Sequence, residues 1–339
     1  MIIYFGNILS KHGYTPTAME TIVPKLSKYV KIYSISDKKN KIVRFLHMNY
    51  YFWKNRNDVS LLLIDVFSTK AFLFAFVIGF YSQILGIPYI TVIRGGNLKY
   101  RLKKSPGLTR FLFINAAVSI IPSLFYQKRF IQNNFSIEYI PNFIEIEKYQ
   151  FKHRLKLKPK LLWVRSFHKM YNPKMAIYVL NGILKDYPNA CLTMVGPDKD
   201  GSQKACMDLA EELGIKKHIY FAGILTKSEW VSISEKSDIF INTTHVDNMP
   251  ISIIESMALG LPIVSTNVGG IPFLIENYQN GLLVNDNDID GMIKNIKILL
   301  NNNKLSSKLS IGARMESEKC SWEKIILDWR RVLNKYSKS

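Results

Sequence analysis

The chain has 339 residues, 47% hydrophobic and 21% charged, with no low-complexity tract; this is a globular composition with room for two domains, and it excludes a disordered or fibrous chain. The net charge is +20 and uneven: residues 1–150 carry 20 Lys/Arg against 7 Asp/Glu, and residues 151–339 carry 26 against 19. A basic face of this kind suits nucleic acid, anionic lipid or a polyanionic substrate, or serves solubility alone.

The N-terminal M-I-I-Y-F-G-N has no basic leader and no long apolar core, so no signal peptide is expected. Residues 2–5 read as a first strand, 6–13 (G-N-I-L-S-K-H-G) as the loop after it, 16–29 as an amphipathic helix, 30–34 as a second strand and 61–67 as a third. Residues 71–93 contain no charge, and Gly86-Ile87-Pro88 interrupts them. They predict a buried helix, a tight turn and a buried parallel strand over 89–93, with a transmembrane helix as the less favoured alternative. Arg94-Gly95-Gly96-Asn97 follows that strand, and residues 99–110 are densely basic. A strand over 116–121 and a helix over 122–133 complete the first series. Ile140-Pro141-Asn142-Phe143 marks its edge, and the charged stretch 145–160 reads as a linker.

A second series starts at residues 161–164. It continues with a helix (173–187), a strand (190–195), a helix (202–213), a strand (219–222), a helix (229–236) and a strand (239–242). Residues 321–336 close the chain as an amphipathic helix bearing Trp322, Ile326 and Trp329. The alternation predicts an α/β protein of two doubly wound halves facing a crevice, with ligands beyond the carboxyl ends of the strands. Cys191, Cys206 and Cys320 fit no zinc or redox spacing, and the six histidines form no ligand cluster. No structural metal is expected, and a reducing cytosol is the simplest setting.

Residues 247–276, D-N-M-P-I-S-I-I-E-S-M-A-L-G-L-P-I-V-S-T-N-V-G-G-I-P-F-L-I-E, carry the chemistry. Pro250 suits a first helical turn, Gly260-Leu261-Pro262 stops the helix, residues 263–266 form a buried strand and Gly269-Gly270-Ile271-Pro272 a loop. A helix start has free N–H groups and a dipole that both favour an anion. Asp247 and Glu255 bracket this junction, and a carboxylate inside the helix accepts hydrogen bonds from a sugar diol. Those are the parts that hold a nucleoside diphosphate.

The stretch resembles the retaining glycosyltransferases of family four, which carry two acidic residues separated by seven and then M-A-x-G-x-P-V-V-x-x-x-x-G-G. Here I-I-E-S-M-A-L-G-L-P-I-V-S-T-N-V-G-G-I-P matches, with Asp247 in place of the usual first Glu. The resemblance is strong over 161–290 and weak over the first half. It implies the GT-B fold: an acceptor-binding Rossmann-like domain over 1–150, a nucleotide-sugar-binding one over 151–320, and a helix over 321–339 crossing back to the first. By the same resemblance Glu255 binds the ribose hydroxyls and Asp247 lies near the transferred sugar. The backbone of Asn248, Met249, Pro250 and Ile251 faces the sugar or diphosphate. Arg165, in W-V-R-S-F-H-K-M-Y-N-P, and then Lys169, with Lys174 as the alternative, bind the diphosphate. Gly196, Gly223 and Leu225 border the nucleobase. Residues 6–13, with Gly6, Gly13 and His12 or Lys11, form the acceptor and diphosphate loop, and Arg94 stands where many members have a His.

The resemblance therefore implies a retaining, metal-independent hexosyltransferase. It would move a sugar from a nucleotide-sugar, UDP being favoured over GDP, to a glycan or lipid-linked acceptor in surface polysaccharide biosynthesis. It needs no cofactor. The basic residues Lys99, Arg101, Lys103, Lys104 and Arg110 imply peripheral contact with an anionic membrane surface on the cytoplasmic side. Against it stand a GT-B module that binds without transfer and a nucleic-acid binder; the latter accounts for the charge but shows no nucleic-acid module and leaves residues 247–276 unexplained.

Overall fold

The computed structural model describes residues 1–12, 16–94 and 98–337, the side chains of Lys99 and Tyr100 excepted. Gly13, Gly95 and Gly96 lie outside the described residues. By packing, the chain divides into two units, Met1–Asn142 with Ile325–Ser339, and Phe143–Lys324.

The first unit holds strands β1 (Ile2–Phe5), β2 (Ile32–Ile35), β3 (Leu61–Val66), β4 (Tyr89–Ile93), β5 (Val118–Ile121) and β6 (Ile137–Tyr139). They form one parallel sheet in the order β2-β1-β3-β4-β5-β6. Every residue of β1, β3, β4 and β5 is buried, which is why these strands read as continuous apolar runs rather than alternations. The helices are α1 (Ala18–Leu26), α2 (Lys41–Asn55), α3 (Phe72–Ile84), α4 (Leu98–Lys104), α5 (Pro106–Ile114) and α6 (Gln127–Gln132). By the right-handed crossover rule, this strand order puts α1 on one face of the sheet and α2, α3, α5 and α6 on the other, and residues of those four helices share one core cluster.

The uncharged run is α3, a turn at Gly86 and β4, as the buried reading predicts. No helix among the described residues is long and apolar enough to cross a membrane, so the transmembrane alternative falls. The helix α2 occupies residues to which the sequence assigns no element. Its start is plain, since the Asn40 side chain accepts from the Ile42 and Val43 N–H groups. Its period is blurred because Ile42, Val43, Leu46, Tyr50 and Trp53 are exposed while Met48 and Phe52 are buried.

The second unit holds β7 (Lys160–Val164), β8 (Cys191–Val195), β9 (Ile219–Gly223), β10 (Ile239–Asn242), β11 (Ile263–Thr266) and β12 (Leu282–Val284). Their order is β12-β11-β10-β7-β8-β9, all parallel. The helices are α7 (Pro173–Leu184), α8 (Ser202–Glu212), α9 (Lys227–Glu235), α10 (Ile251–Ala258), α11 (Ile289–Asn301) and α12 (Asn303–Glu318). The last helix, α13 (Trp322–Tyr336), falls in the first unit from Ile325 onward, where Arg331 pairs with Glu138 at 3.0 Å. Winding reverses between β7 and β10, so this is the switch point where a doubly wound sheet opens a ligand crevice. In the first unit the reversal lies between β1 and β3.

The division at Asn142 precedes the expected position 150, and the charged stretch 145–160 is not a loose tether. Ile144 and Tyr149 pack in the second unit's core. Arg154 is buried, and its guanidinium donates to the carbonyls of Leu259, Lys152 (3.0 Å), Ser234 (3.1 Å) and Ser237 (3.3 Å). Burial pushes its pKa down to about 10. Arg154→Met should leave these carbonyls unpaired and cost about 2–4 kcal/mol in urea unfolding of the full chain; a change below about 1 kcal/mol would show the segment to be a passive linker.

Candidate active site

The switch point of the second unit gathers three of the charged residues singled out above, Arg165, Asp247 and Glu255. Arg165 directly follows β7. Its backbone N–H donates to Val195 O at 3.0 Å, and its guanidinium lies 4.5 Å above the Tyr171 ring. Gly196, after β8, has φ +145°, and a Cβ there would meet Arg165 O at 1.9 Å. Only glycine lets these two backbones approach so closely.

The loop after β10 is laced to the loop after β7. Trp163 Nε1 donates to Thr243 Oγ1 at 3.0 Å, Thr243 Oγ1 to Tyr171 O at 2.9 Å, and His245 N to Met170 O at 2.9 Å. This lacing carries Asp247 to Arg165, and the two form an ion pair, both side chains largely shielded from water. Burial pushes the Arg165 pKa below its usual value, with Tyr171 and Glu255 opposing. Gly269 braces the other side: it has φ +57°, and a Cβ there would meet Asp247 O at 2.0 Å. Gly270 N donates to that same oxygen at 2.9 Å.

The helix α10 begins beside this pair. Pro250 is its N-cap rather than its first helical residue, no side chain caps it, and its first turn has no acidic residue. Among the described residues, the buried side-chain polar atoms without a hydrogen bond are Ser105 Oγ and a group concentrated here: Arg165 Nε, Asp247 Oδ2 (ion-paired with Arg165), both amide atoms of Asn248, and the hydroxyls of Ser252 and Ser256. Buried polar groups normally find partners. A helix N-terminus, a guanidinium and several unengaged donors in one place are groups whose chemistry suits an anion. Met249 and Pro250 are buried and Ile251 is half-buried.

Further along α10, Glu255 is buried with the whole apolar run around it. Its Oε1 accepts from Tyr149 Oη at 2.7 Å and from Lys227 Nζ at the start of α9. Burial, and then the Glu255 carboxylate, raise the Tyr149 pKa, which keeps it a donor. Neither Tyr149 nor Lys227 was legible in the sequence, because Tyr149 lies in the apparent linker and Lys227 is one lysine among many.

The remaining candidates are spread more widely. Lys169 and Lys174 are exposed; Lys169 N donates to Asp200 Oδ2 at 3.0 Å, and this bond lowers the Asp200 pKa. Gly223 has φ +69°, and its carbonyl accepts from Gly196 N at 2.8 Å; Leu225 is half-buried. Asp198-Lys199-Asp200 and Asp286-Asn287-Asp288 have the Asp-x-Asp spacing of many metal sites. Here Asp198 and Asp288 accept from the backbone at Gly201 and Gly291, and Asp286 from His245 at 2.7 Å.

In the first unit Gly6 directly follows β1, and a Cβ there would meet Asp65 Oδ2 at 2.6 Å. Arg94 is anchored at the strand ends. Its Nε donates to Asp65 Oδ1 at 2.9 Å and its Nη2 to Tyr4 Oη at 2.8 Å, while Tyr4 donates to Asp65 at 2.8 Å. Burial raises the Asp65 pKa, with Arg94 opposing. Two of the three guanidinium nitrogens are thus committed inside the sheet. His12 is exposed, 2.8 Å from Asp37 O.

Two Rossmann-like units, each with a six-stranded parallel sheet, make this a protein of the GT-B fold. The family model of the glycosyl transferases group 1 matches residues 145–316, just over half of the chain, and the chain belongs to that family. An uncharacterized glycosyltransferase of Haemophilus influenzae is 33% identical over 153 residues, 44% of this chain and 42% of that protein. The UDP-Gal:alpha-D-GlcNAc-diphosphoundecaprenol alpha-1,3-galactosyltransferase of Escherichia coli is 25% identical over 193 residues, 52% and 48%. The matches thus span about half or less of these curated relatives. The crystal structure of Anabaena HepE in complex with UDP superposes with TM-score 0.79 at 15% identity, over 99% of this chain and 100% of that one.

The two glycine contacts differ in a testable way. Gly196→Ala should cost about 3 kcal/mol or more, since Arg165 O blocks the new methyl. Gly223→Ala, where nothing lies within 4 Å, should cost only the backbone strain, about 1 kcal/mol. Equal losses in thermal unfolding would refute the brace.

Proposed function

We propose that this protein transfers a sugar from a UDP-sugar to a glycan or lipid-linked acceptor in surface polysaccharide biosynthesis, with retention of configuration and without a metal. The carrying observation is the concentration of Arg165, the uncapped start of α10 and the unengaged polar atoms at one switch point. Anabaena HepE, solved with UDP, and the E. coli relative named for a UDP-Gal donor and a diphosphoundecaprenol-linked acceptor support the donor and acceptor classes. The first unit is read as the acceptor side, with Gly6 and His12 assigned to it, and the protein as cytoplasmic and peripheral on the membrane.

In this reading the diphosphate takes Arg165 Nε–H and the first-turn N–H groups of α10. Lys169, exposed beside this loop, adds a second cation. The ribose diol donates to Glu255, which Tyr149 and Lys227 hold in place. The bond from the sugar's anomeric carbon to the β-phosphate oxygen breaks, and one to the acceptor oxygen forms on the same face. The acceptor's proton passes to the departing phosphate. Fixed donors aimed at the leaving charge supply the main stabilisation. Asp247, released from Arg165 as phosphate takes its place, is left beside the transferred sugar.

A second reading, binding without transfer, draws on that ion pair, since Asp247 and Arg165 already satisfy each other. Thermal shift against UDP, GDP and ADP, followed by turnover of UDP-sugars, separates the two. UDP at a hundredfold its Kd should stabilise by about 2.7 kcal/mol, and Glu255→Ala should remove that shift. Turnover should survive EDTA, with the anomeric configuration retained by NMR. UDP binding without turnover leaves the module; no response to any nucleotide overturns both.

A further inference from the structure

We propose that α2, α3 and α5 of the first unit form a face that docks on a bilayer carrying anionic headgroups. The proposal extends the peripheral location given above but does not depend on the donor chemistry. A helix packed on a sheet normally turns a polar face outward. Here α2 turns out Ile42, Leu46, Tyr50 and Trp53, at helical spacing and 72%, 61%, 58% and 41% exposed. On α3, Leu73, Phe80 and Ile84 repeat the pattern, while Phe72, Ala75, Ile78 and Gly79 face inward. The helix is apolar all round because it has two apolar neighbours, the sheet within and a second surface without.

These stripes are continuous. Phe45 meets Phe74 at 5.6 Å and Trp53 meets Tyr81 at 5.2 Å, joining α2 to α3. Phe80 meets Phe111 at 5.8 Å, joining α3 to α5, where Leu108 and Ile114 are also exposed. A contiguous exposed apolar face of this kind marks an interaction surface.

Charge decides the partner. Residues 38–137 hold 15 Lys/Arg, of which Arg44 and Arg94 are engaged within the fold, and only two acids, Asp58 and the buried Asp65. Lys54 lies over the Tyr50 ring and Arg56 over the Trp53 ring, each at 5.8 Å, and Lys103 and Arg110 are exposed on α4 and α5. Aromatic rings with a cation at their edge, beside aliphatic side chains, suit the headgroup boundary of a bilayer. A second copy of the chain would bring two basic faces together. A nucleic acid has no use for the Ile42, Leu46 and Ile84 side chains. An anionic lipid surface satisfies the cations and the apolar stripe at once.

Flotation with phosphatidylcholine vesicles, with and without phosphatidylglycerol, tests this on the full chain. The wild type should float with the anionic vesicles and much less with the neutral ones. Leu46→Ser, Trp53→Ser and Ile84→Ser combined should weaken partition at least about tenfold. Arg56→Glu with Arg110→Glu should remove the preference for phosphatidylglycerol. The other tryptophans are buried or half-buried, so vesicles should blue-shift the wild-type emission, and Trp53→Phe should lose that shift. All these positions lie on the surface of the first unit, so the variants should stay folded by circular dichroism and any UDP-induced shift should be unchanged, which keeps failure here distinct from failure of the donor reading. Unaltered flotation of the triple variant overturns the proposal, as does a wild-type dimer that the triple variant dissolves in light scattering.

Discussion

The ion pair between Arg165 and Asp247 is the constraint on which the second unit's switch point depends. Each residue sits on a loop beyond a strand end, where no ladder holds the backbone. Two shielded opposite charges are tolerable together and costly apart. The pair therefore needs its loops at a set distance, and two glycines keep them there. Gly196 closes on the Arg165 carbonyl and Gly269 on that of Asp247. The hydrogen bonds from Trp163, Thr243 and His245 tie one loop to the other.

The same logic recurs one turn deeper and in the other unit. Glu255 is buried on an apolar helix, so its carboxylate must be engaged. Tyr149 and Lys227 engage it, which makes the charged stretch before β7 a working part of the site. In the first unit Tyr4, Asp65 and Arg94 form a buried hydrogen-bonded triad at the carboxyl ends of β1, β3 and β4. Each sheet thus carries a carboxylate and a cation together at its strand ends. In the second the cation keeps an unengaged nitrogen, Arg165 Nε, beside the start of α10. In the first the guanidinium is largely committed to the protein.

Much of the fold was legible because fully buried parallel strands leave unbroken apolar runs, as at β1, β3 and β4. What escaped has physical reasons. The strands β6 and β12 are three residues each, too short to show a period. The helix α2 is apolar on both sides. The site was legible where chemistry is bound to local pattern: Pro250 before a helix, Glu255 inside it, glycines in the loop after. It was illegible where partners come from afar. Tyr149 reaches Glu255 across more than a hundred residues of chain, and nothing near either residue announces the other.

The sequence by itself determined much of the succession of strands and helices, the placing of Arg165 at a strand end and of Asp247 at a loop-to-helix junction, and the basic excess of the first half, because these follow from hydrophobic period, turn chemistry and charge. The tertiary structure alone decided that Arg165 and Asp247 are ion-paired, that two of the Arg94 guanidinium nitrogens are engaged at the strand ends of its own sheet, and that the exposed sides of α2 and α3 join into one apolar face. Those outcomes depend on which strand ends become neighbours, and parallel sheet order is set by crossovers that bring distant segments together rather than by any local preference of the residues themselves.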